Sequence, residues 1–474
     1  MSHITNATPN DLENIIDLFE KAIQYQKANN YIGWNSFDKA YIQKELEEGL
    51  LFKIVENEQI ACIFSVCYTD AFIWRDRDKG DAIYLHRAII NQQFAGKKFF
   101  QNVLDWAIRQ AQKENLRYIR IDTWAENHKL IDYYKKYGFA KIENYTTPDT
   151  ENLPIQHRQL HVALLQFDTR PIYIIGAGAI GKALTVFLKN ENRNVHLIRG
   201  SIDDCNSRQE TITVHTDSST FEKNLTISTI SSHPTLNGLI ILANKSFGNK
   251  DLVKSLKNRS GNSPIILLQN GLGVEAPFIE NGFSEIYRCV LFATSQVITP
   301  TTIRFKPVSI SPIGIEKGTK EILNQIVNQL DTPHFQFRSE PDIQPIIWQK
   351  AVINSVFNSV CPLLEIDNGI FHRNEQALAI ARSIIKECIS IASLKGIALD
   401  EKKVEESLLK ISKFSEGQLI STFQDIKNNR PTEIDTLNLE IAKIADALNR
   451  PDLIHETRLL GELTKLKSDL NLRK

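Results

Sequence analysis

Ile172-Tyr173-Ile174-Ile175-Gly176-Ala177-Gly178-Ala179-Ile180-Gly181-Lys182-Ala183-Leu184 is the stretch on which the reading of this chain turns. An apolar strand runs directly into a G-x-G-x-x-G pattern, and a helix opens behind it. The first glycine permits a tight turn, the second lets the backbone approach a pyrophosphate, and the third lets helix and strand pack closely. The helix N-terminus then faces the phosphates. Gly176, Ala177, Gly178, Ala179, Ile180 and Gly181 are therefore the candidate dinucleotide loop. One βα unit later, Val195-His196-Leu197-Ile198 forms a second strand that ends in Arg199 rather than an acid. An arginine suits a ribose 2′-phosphate through charge-assisted, bidentate hydrogen bonds, so NADPH is the expected cofactor. The alternative leaves Arg199 in solvent and gives the ribose to Asp203 or Asp204.

Outward from that loop, Asp168-Thr169-Arg170-Pro171 breaks the pattern on its N-terminal side. The 474 residues correspond to about three domains at roughly 150 residues each. Residues 1–167 read as α+β, with an opening amphipathic helix (Leu12, Ile15, Ile16, Phe19, Ile23) and short strands such as Leu51–Val55. In 171–340, strands alternate with helical stretches, which points to βαβ units on a parallel Rossmann sheet. In 341–474 the strands stop, and the spacing of Ile434, Leu437, Ile441, Ile444 and Leu448 predicts packed helices. The fold class is thus a multidomain α/β protein with an α+β N-terminal domain, a central dinucleotide-binding domain and an all-α C-terminal domain.

Composition narrows the partners. The chain is 42% hydrophobic and 24% charged, and 56 basic residues balance 56 acidic ones, so neither nucleic acid nor a membrane surface is an expected partner. The six cysteines form no C-x-x-C pair and read as buried, reduced thiols with no metal site. The N-terminus has no leader pattern, and no apolar run approaches the roughly 18 residues of a membrane span. A cytoplasmic enzyme acting on a small molecule is the expectation.

Trp348-Gln349-Lys350-Ala351-Val352-Ile353-Asn354-Ser355-Val356-Phe357-Asn358 sets Lys350, Asn354 and Asn358 four residues apart, on one stripe of a helix. Taken alone, such a stripe means little, because Lys and Asn on a helix usually form a solvated surface. The surrounding segment, however, resembles the ketopantoate reductase (2-dehydropantoate 2-reductase) family, whose W-x-K-x-x-x-N-x-x-x-N helix is followed by an N-G turn, here Asn368-Gly369. Further motifs agree in order: Asn244-Lys245-Ser246 after an apolar strand, Gln269-Asn270-Gly271, Ser421-Thr422-Phe423-Gln424-Asp425, and Thr432-Glu433-Ile434-Asp435. The resemblance covers about 172–465.

It implies that Lys350 donates a proton to the substrate carbonyl while NADPH delivers hydride, which requires an ammonium of lowered pKa. Glu433 would orient that ammonium. Ser421 would hold the substrate carboxylate, and Asn354, Asn358 and Asn368 the remaining polar groups. Lys245 and Asn270 would line the cofactor side, and a homodimer is compatible with the family. Two departures, Asn244 before Lys245 and Thr422-Phe423 in the serine motif, admit a reductase of a related 2-oxo acid.

Residues 81–145 are similar to the core of GNAT-type acyltransferases. The likeness rests on the strand Ile83–Ile90, a helix through Leu104-Asp105-Trp106-Ala107, Tyr118–Thr123, Asn127 and the closing Tyr133-Tyr134-Lys135-Lys136-Tyr137-Gly138-Phe139. It implies acetyl-CoA as co-substrate or effector and Tyr134 as the acid beside the leaving thiolate. The phosphate loop, read as Ala95-Gly96-Lys97-Lys98-Phe99-Phe100 or as Gln93-Phe94-Ala95-Gly96-Lys97-Lys98, fits the family pattern in neither register. The domain is thus either a second catalyst or a module that senses CoA and regulates the reductase.

Overall fold

Two long strands, Gln59–Cys67 and Ala82–Ile90, carry the first half of the chain, and their interiors are almost continuously buried because both faces of the sheet are covered. The computed structural model describes residues 4–151, 153, 157–200 and 203–473, and falls into two units, Met1–Arg170 and Pro171–Lys474.

The first unit is a seven-stranded sheet in the order β1-β2-β3-β4-β5-β7-β6. The strands are β1 (Ile4–Asn6), β2 (Leu51–Glu56), β3 (Gln59–Cys67), β4 (Ala82–Ile90), β5 (Tyr118–Trp124), β6 (Ala140–Thr146) and β7 (His161–Asp168). The helices are α1 (Leu12–Ala28), α2 (Lys39–Glu47), α3 (Ala71–Trp74), α4 (Phe99–Lys113) and α5 (His128–Lys136). Among the described residues of this unit only β4 and β5 pair in parallel, and their register ends at Tyr84↔Arg120 although both strands continue. One face is sealed by α4 through Phe99, Phe100, Val103 and Leu104; the opposite face holds Trp74, Tyr84 and Tyr118. Opposite β3, the register of β4 jumps from Ile63↔Ile89 to Ser65↔His86, and in this bulge Arg87 takes φ 51°, in the left-handed region that a non-glycine residue rarely adopts.

The second unit opens with β8 (Ile172–Ile175), α6 (Ala179–Asn190) and β9 (Val195–Ile198). A hairpin follows, β10 (Arg208–His215) and β11 (Thr220–Ser228), an antiparallel insertion into the strand–helix alternation expected for 171–340. Its strands alternate exposed polar and buried apolar residues, the period of a half-buried antiparallel pair. Next come β12 (Leu239–Leu242), α7 (Asn249–Lys257), β13 (Ile265–Leu267), α8 (Ala276–Glu280) and β14 (Ile286–Cys289). The order β11-β9-β8-β12-β13-β14 is parallel throughout, the doubly wound arrangement of dinucleotide-binding sheets. A second hairpin, β15 (Ala293–Thr299) and β16 (Thr302–Pro307), extends it at the β10 edge, and β17 (Ser311–Lys317) and β18 (Phe337–Ser339), which flank α9 (Lys320–Leu330), extend it beyond β14.

From α10 (Gln344–Leu364) onward the described residues are helical: α11 (Ile370–Arg373), α12 (Glu375–Leu394), α13 (Glu401–Phe414), α14 (Ser421–Lys427), α15 (Asn438–Ala447) and α16 (Glu456–Leu472). Buried residues on several sides of α10, among them Val352, Val356, Phe357 and Val360, make it the hub of this core. Four of the six cysteines are buried as expected; Cys67 is only partly covered, and Cys205 is exposed in the loop after β9.

Candidate active-site cleft

Because β9, β8, β12 and β13 run in parallel, their carboxyl ends share one edge of the sheet, and the loops leaving that edge carry Arg199, Gly176, Lys245 and Asn270 in turn. A crevice at such a switch of strand order is where doubly wound sheets take nucleotides. The glycines divide the work. Gly176 has φ +122°, and a Cβ there would overlap the backbone of Ala243 and Asn244; one on Gly181 would overlap the Gly176 carbonyl. Gly178 caps α6 with ordinary backbone angles and open space on its Cβ side, the opening through which a pyrophosphate reaches the helix N-terminus.

Arg199 does not stand free at the end of β9. Its Nη2 donates to Asp204 Oδ1 at 2.5 Å and to the Asn206 carbonyl at 2.8 Å, while its buried Nε makes no hydrogen bond among the described residues. Asp203 instead accepts from the Ser231 N–H at 3.1 Å. Both carboxylates that the alternative reading offered to a ribose hydroxyl are therefore already engaged.

Lys350 leaves α10 into the cleft, and its Nζ donates to the Leu291 carbonyl at 2.7 Å. Burial pushes its ammonium down to about 8; the neighbouring Arg288 works in the same direction, and Cys289 and Glu433 oppose it. Arg288 is held by Glu275 and by the Gly271 carbonyl at 2.8 Å. A lysine in this state exchanges protons near neutral pH, which one in water, with its pKa of about 10.4, does not.

The link from Glu433 to Lys350 takes a different form from the one the resemblance implied. Glu433 Oε2 accepts from Lys245 Nζ at 3.0 Å and Oε1 from the Ser246 N–H at 3.4 Å, while Lys245 also reaches Asp425 Oδ2 at 3.2 Å. Two adjacent carboxylates draw in the Lys245 ammonium, and Asp425 also pairs with Arg430 at 3.3 Å, while the Lys350 ammonium is bonded to a carbonyl. Burial disfavours the Lys245 charge, but Glu433 and Asp425 more than offset it and its pKa lies above the ordinary lysine value. The Glu433 segment is registered against the sheet at Gly271. There φ is +92°, a Cβ would overlap Thr436, and the next residue, Leu272, donates its N–H to the Thr436 carbonyl at 2.8 Å.

Asn358 is buried on α10 and its Oδ1 accepts from Ser421 Oγ at 3.4 Å and the Thr422 N–H at 3.3 Å, so it fixes the start of α14 and the direction of Ser421. Its Nδ2 donates to the Asn354 carbonyl at 2.9 Å, joining two residues of the predicted stripe. Asn368 follows the C-terminal end of α10. Its N–H bonds Gln418 at 2.9 Å, its carbonyl accepts from Ser412 at 2.7 Å, and its buried Oδ1 makes no hydrogen bond among the described residues. Asp425 and the Leu291 carbonyl went unrecognised in the sequence. Asp425 stood inside a quoted motif with no partner to suggest a role, and a backbone carbonyl leaves no signal at all.

In the first unit, Tyr134 is packed on α5 against Phe100 and Phe139, with ring centroids 5.1 and 6.0 Å away. Burial, then the nearby Asp122 and Cys62, push its phenol up, so it remains protonated. Asn127 caps α5 by accepting from the Leu130 N–H at 3.1 Å. In the candidate phosphate loop Gly96 has φ +84° with open space around it, and Lys97 is paired with Glu56.

Residues 172–311 match the ketopantoate reductase PanE/ApbA family model, 342–464 its C-terminal model, and 19–139 the acetyltransferase (GNAT) family model. A 2-dehydropantoate 2-reductase of Pyrococcus horikoshii is 30% identical over 302 residues, which span 63% of this chain and 98% of that protein. Among solved structures, a dimeric ketopantoate reductase from Staphylococcus aureus superposes with a TM-score of 0.54 at 19% identity, covering 64% of this chain and 99% of its own. A D-mandelate dehydrogenase bound to NADH and anilino(oxo)acetate gives 0.55 at 21%, with the same coverage. At these identities the superpositions speak for the fold. Among the described residues no helix is long and apolar enough to cross a membrane.

Proposed function

The chain belongs to the ketopantoate reductase family over 172–464, and from that premise we propose that its second unit reduces 2-dehydropantoate to pantoate with NADPH. The observation that carries the reading is the cleft lysine, Lys350, whose ammonium is buried, held at 2.7 Å by the Leu291 carbonyl and brought down to about 8. A nicotinamide held in this cleft would supply hydride to C2 of the 2-oxo acid. Lys350 stabilises the charge that develops on the ketone oxygen and gives it a proton. Ser421, aimed by Asn358, takes the substrate carboxylate, and Asn354 and Asn368 take polar groups further along the acid. The N–H groups following Gly176 and Gly178 would hold the pyrophosphate, Lys245 and Asn270 would line the cofactor side, and Arg199 would take a 2′-phosphate. Glu433 acts through Lys245, as a positioning group between cofactor side and substrate side.

Assembly as a homodimer belongs to the same proposal. It is supported by Leu459, Leu463, Leu466 and Leu470, which form an exposed stripe along α16. Sedimentation of the purified chain tests it.

For the first unit we propose acyl transfer from acetyl-CoA, with Tyr134 giving a proton to the departing thiolate. The supporting observation is the opening left where β4 and β5 stop pairing at Tyr84↔Arg120, with α4 starting just after Gly96 as a seat for phosphates.

The deciding experiment is NADPH oxidation by the purified chain against a panel of 2-oxo acids, for wild type and Lys350→Ala. Turnover selective for 2-dehydropantoate that collapses in the variant is the expected result. Selective turnover of another acid overturns the substrate assignment.

A further inference from the structure

Two cations are buried against one short stretch of chain. Arg288, in β14, has a side chain only 3% exposed, and Leu291, three residues on, offers the carbonyl that accepts from Lys350 Nζ at 2.7 Å. Directly opposite Arg288 in the antiparallel β14–β17 pair is Gly314, so both present the same face of the sheet. A Cβ on Gly314 would overlap Ile343, the residue that leads into α10. The missing side chain therefore lets the lysine helix start against the face that carries Arg288. One step along, the register slips from Ile286↔Lys317 to Tyr287↔Ile315, and Glu316 is the residue left over in the bulge. Glu316 accepts from Nε2 of Gln344, in the first turn of α10, at 2.7 Å.

Arg288 is held on two sides. One Nη pairs with Glu275, just before α8, and the other donates to the Gly271 carbonyl at 2.8 Å, while the buried Nε makes no hydrogen bond among the described residues. Burial, then Glu275, push the Glu316 carboxyl up to about 7, against the pull of Arg288. Around Lys350 burial is the largest influence, followed by Cys289, Arg288 and Glu433. Cys289 favours the ammonium only as a thiolate, and burial pushes its thiol up to about 12, so it is neutral where the lysine titrates. Glu433 is shared with Lys245. Arg288 is left as the like charge that the lysine meets.

Resting on the reading of the second unit as a reductase, we propose that Arg288 is a positioning residue of the reduction, an internal cation clamped by Glu275 and Gly271 that keeps Lys350 ready to give up its proton. Two like charges face each other inside the protein before the reaction, and that repulsion is relieved as the proton passes from Lys350 to the ketone oxygen. A guanidinium neither gives nor takes a proton in this range, so Arg288 acts on the step only through the lysine. Its bond to Gly271 anchors it to the turn that registers Glu433 against the sheet, which ties the acidity of Lys350 to the closure of the cleft.

The test follows kcat/KM against pH for the full chain with NADPH and 2-dehydropantoate, or the 2-oxo acid that a substrate panel selects. The variants are Arg288→Met, Arg288→Lys and the double variant Arg288→Met with Glu275→Gln, which strands no carboxylate and decides the matter if the single variant does not fold. In both methionine variants the alkaline limb should move up from about 8 by about one pH unit, with kcat at pH 7 several-fold lower and NADPH affinity, measured by calorimetry, unchanged. Arg288→Lys keeps the charge and should keep the limb near its wild-type position. A limb that stays in place in the methionine variants, or that moves equally in Arg288→Lys, overturns the proposal and leaves Arg288 a structural residue. Wild type that reduces none of the panel, or Lys350→Ala that turns over like wild type, removes the reductase reading itself, a failure that shows before any Arg288 variant is made.

Discussion

Lys245 and Glu433 stand 188 positions apart in the chain and meet at 3.0 Å, joining the end of a sheet strand to the helical half of the second unit. Asp425 completes the bridge from the other side at 3.2 Å. Lys245 retains substantial solvent contact, so the pair should be worth little as a stabiliser; a double-mutant cycle on Lys245→Ala and Glu433→Ala should give a coupling of about 1 kcal/mol or less in urea unfolding. The same variants should weaken cofactor binding far more than they shift the unfolding midpoint. Equal losses in both measurements would make the bridge merely structural.

Lys350 sets the pH dependence. As the proton donor with a pKa of about 8, it should give a kcat/KM that falls as pH rises through 8, and Lys350→Arg should not restore activity because a guanidinium keeps its proton. A profile flat to pH 10 would exclude Lys350 as the acid.

The same lysine should weaken the fold below pH 8. Its folded pKa is depressed from 10.5 to about 8, so between those values the unfolded chain holds a proton that the folded chain has released, and the contribution to stability rises with pH across that window. Lys350→Met should therefore be more stable than wild type at pH 7, by on the order of 2 kcal/mol, with the advantage gone above about pH 10.5. Calorimetric melting at the two pH values measures it.

The glycines of the dinucleotide loop should separate folding from binding. Gly176→Ala and Gly181→Ala force a Cβ into backbone and should cost roughly 1–3 kcal/mol of stability. Gly178→Ala meets open space at φ −82° and should melt like wild type while losing NADPH affinity, because the added methyl stands where the phosphate approaches. Unchanged affinity would move the pyrophosphate elsewhere.

Asp204 occupies the guanidinium that a 2′-phosphate needs. Asp204→Asn should lower KM for NADPH and leave that for NADH unchanged, whereas Arg199→Ala should raise the NADPH value selectively. Parallel changes for both cofactors would show that Arg199 does not read the 2′ position.

Motifs with local geometry were the legible part of the sequence. The strand–glycine–helix unit at 172–184 and the Lys350 stripe on one helix can each be read because turn and helix spacing are set by near neighbours. The β10–β11 hairpin was not singled out, although the two-residue alternation in Thr211-Ile212-Thr213-Val214 is plain. Partners distant in sequence were not legible. Nothing in Ser421–Asp425 announces Lys245, and Glu275, Arg288, Glu316 and Gln344 come from four separate segments that only sheet pairing and the start of α10 bring together. Motif order spoke for the cleft, but it could not say that Glu433 would bond Lys245.

The contact of Gly271 with Thr436 turns loop length into an inherited constraint. A residue inserted or deleted between Leu268 and Gly273 would slide Glu433 out of register with Lys245 without altering any side chain of the cleft. Descendants of this chain are thus held both to the count of that turn and to the glycine at 271.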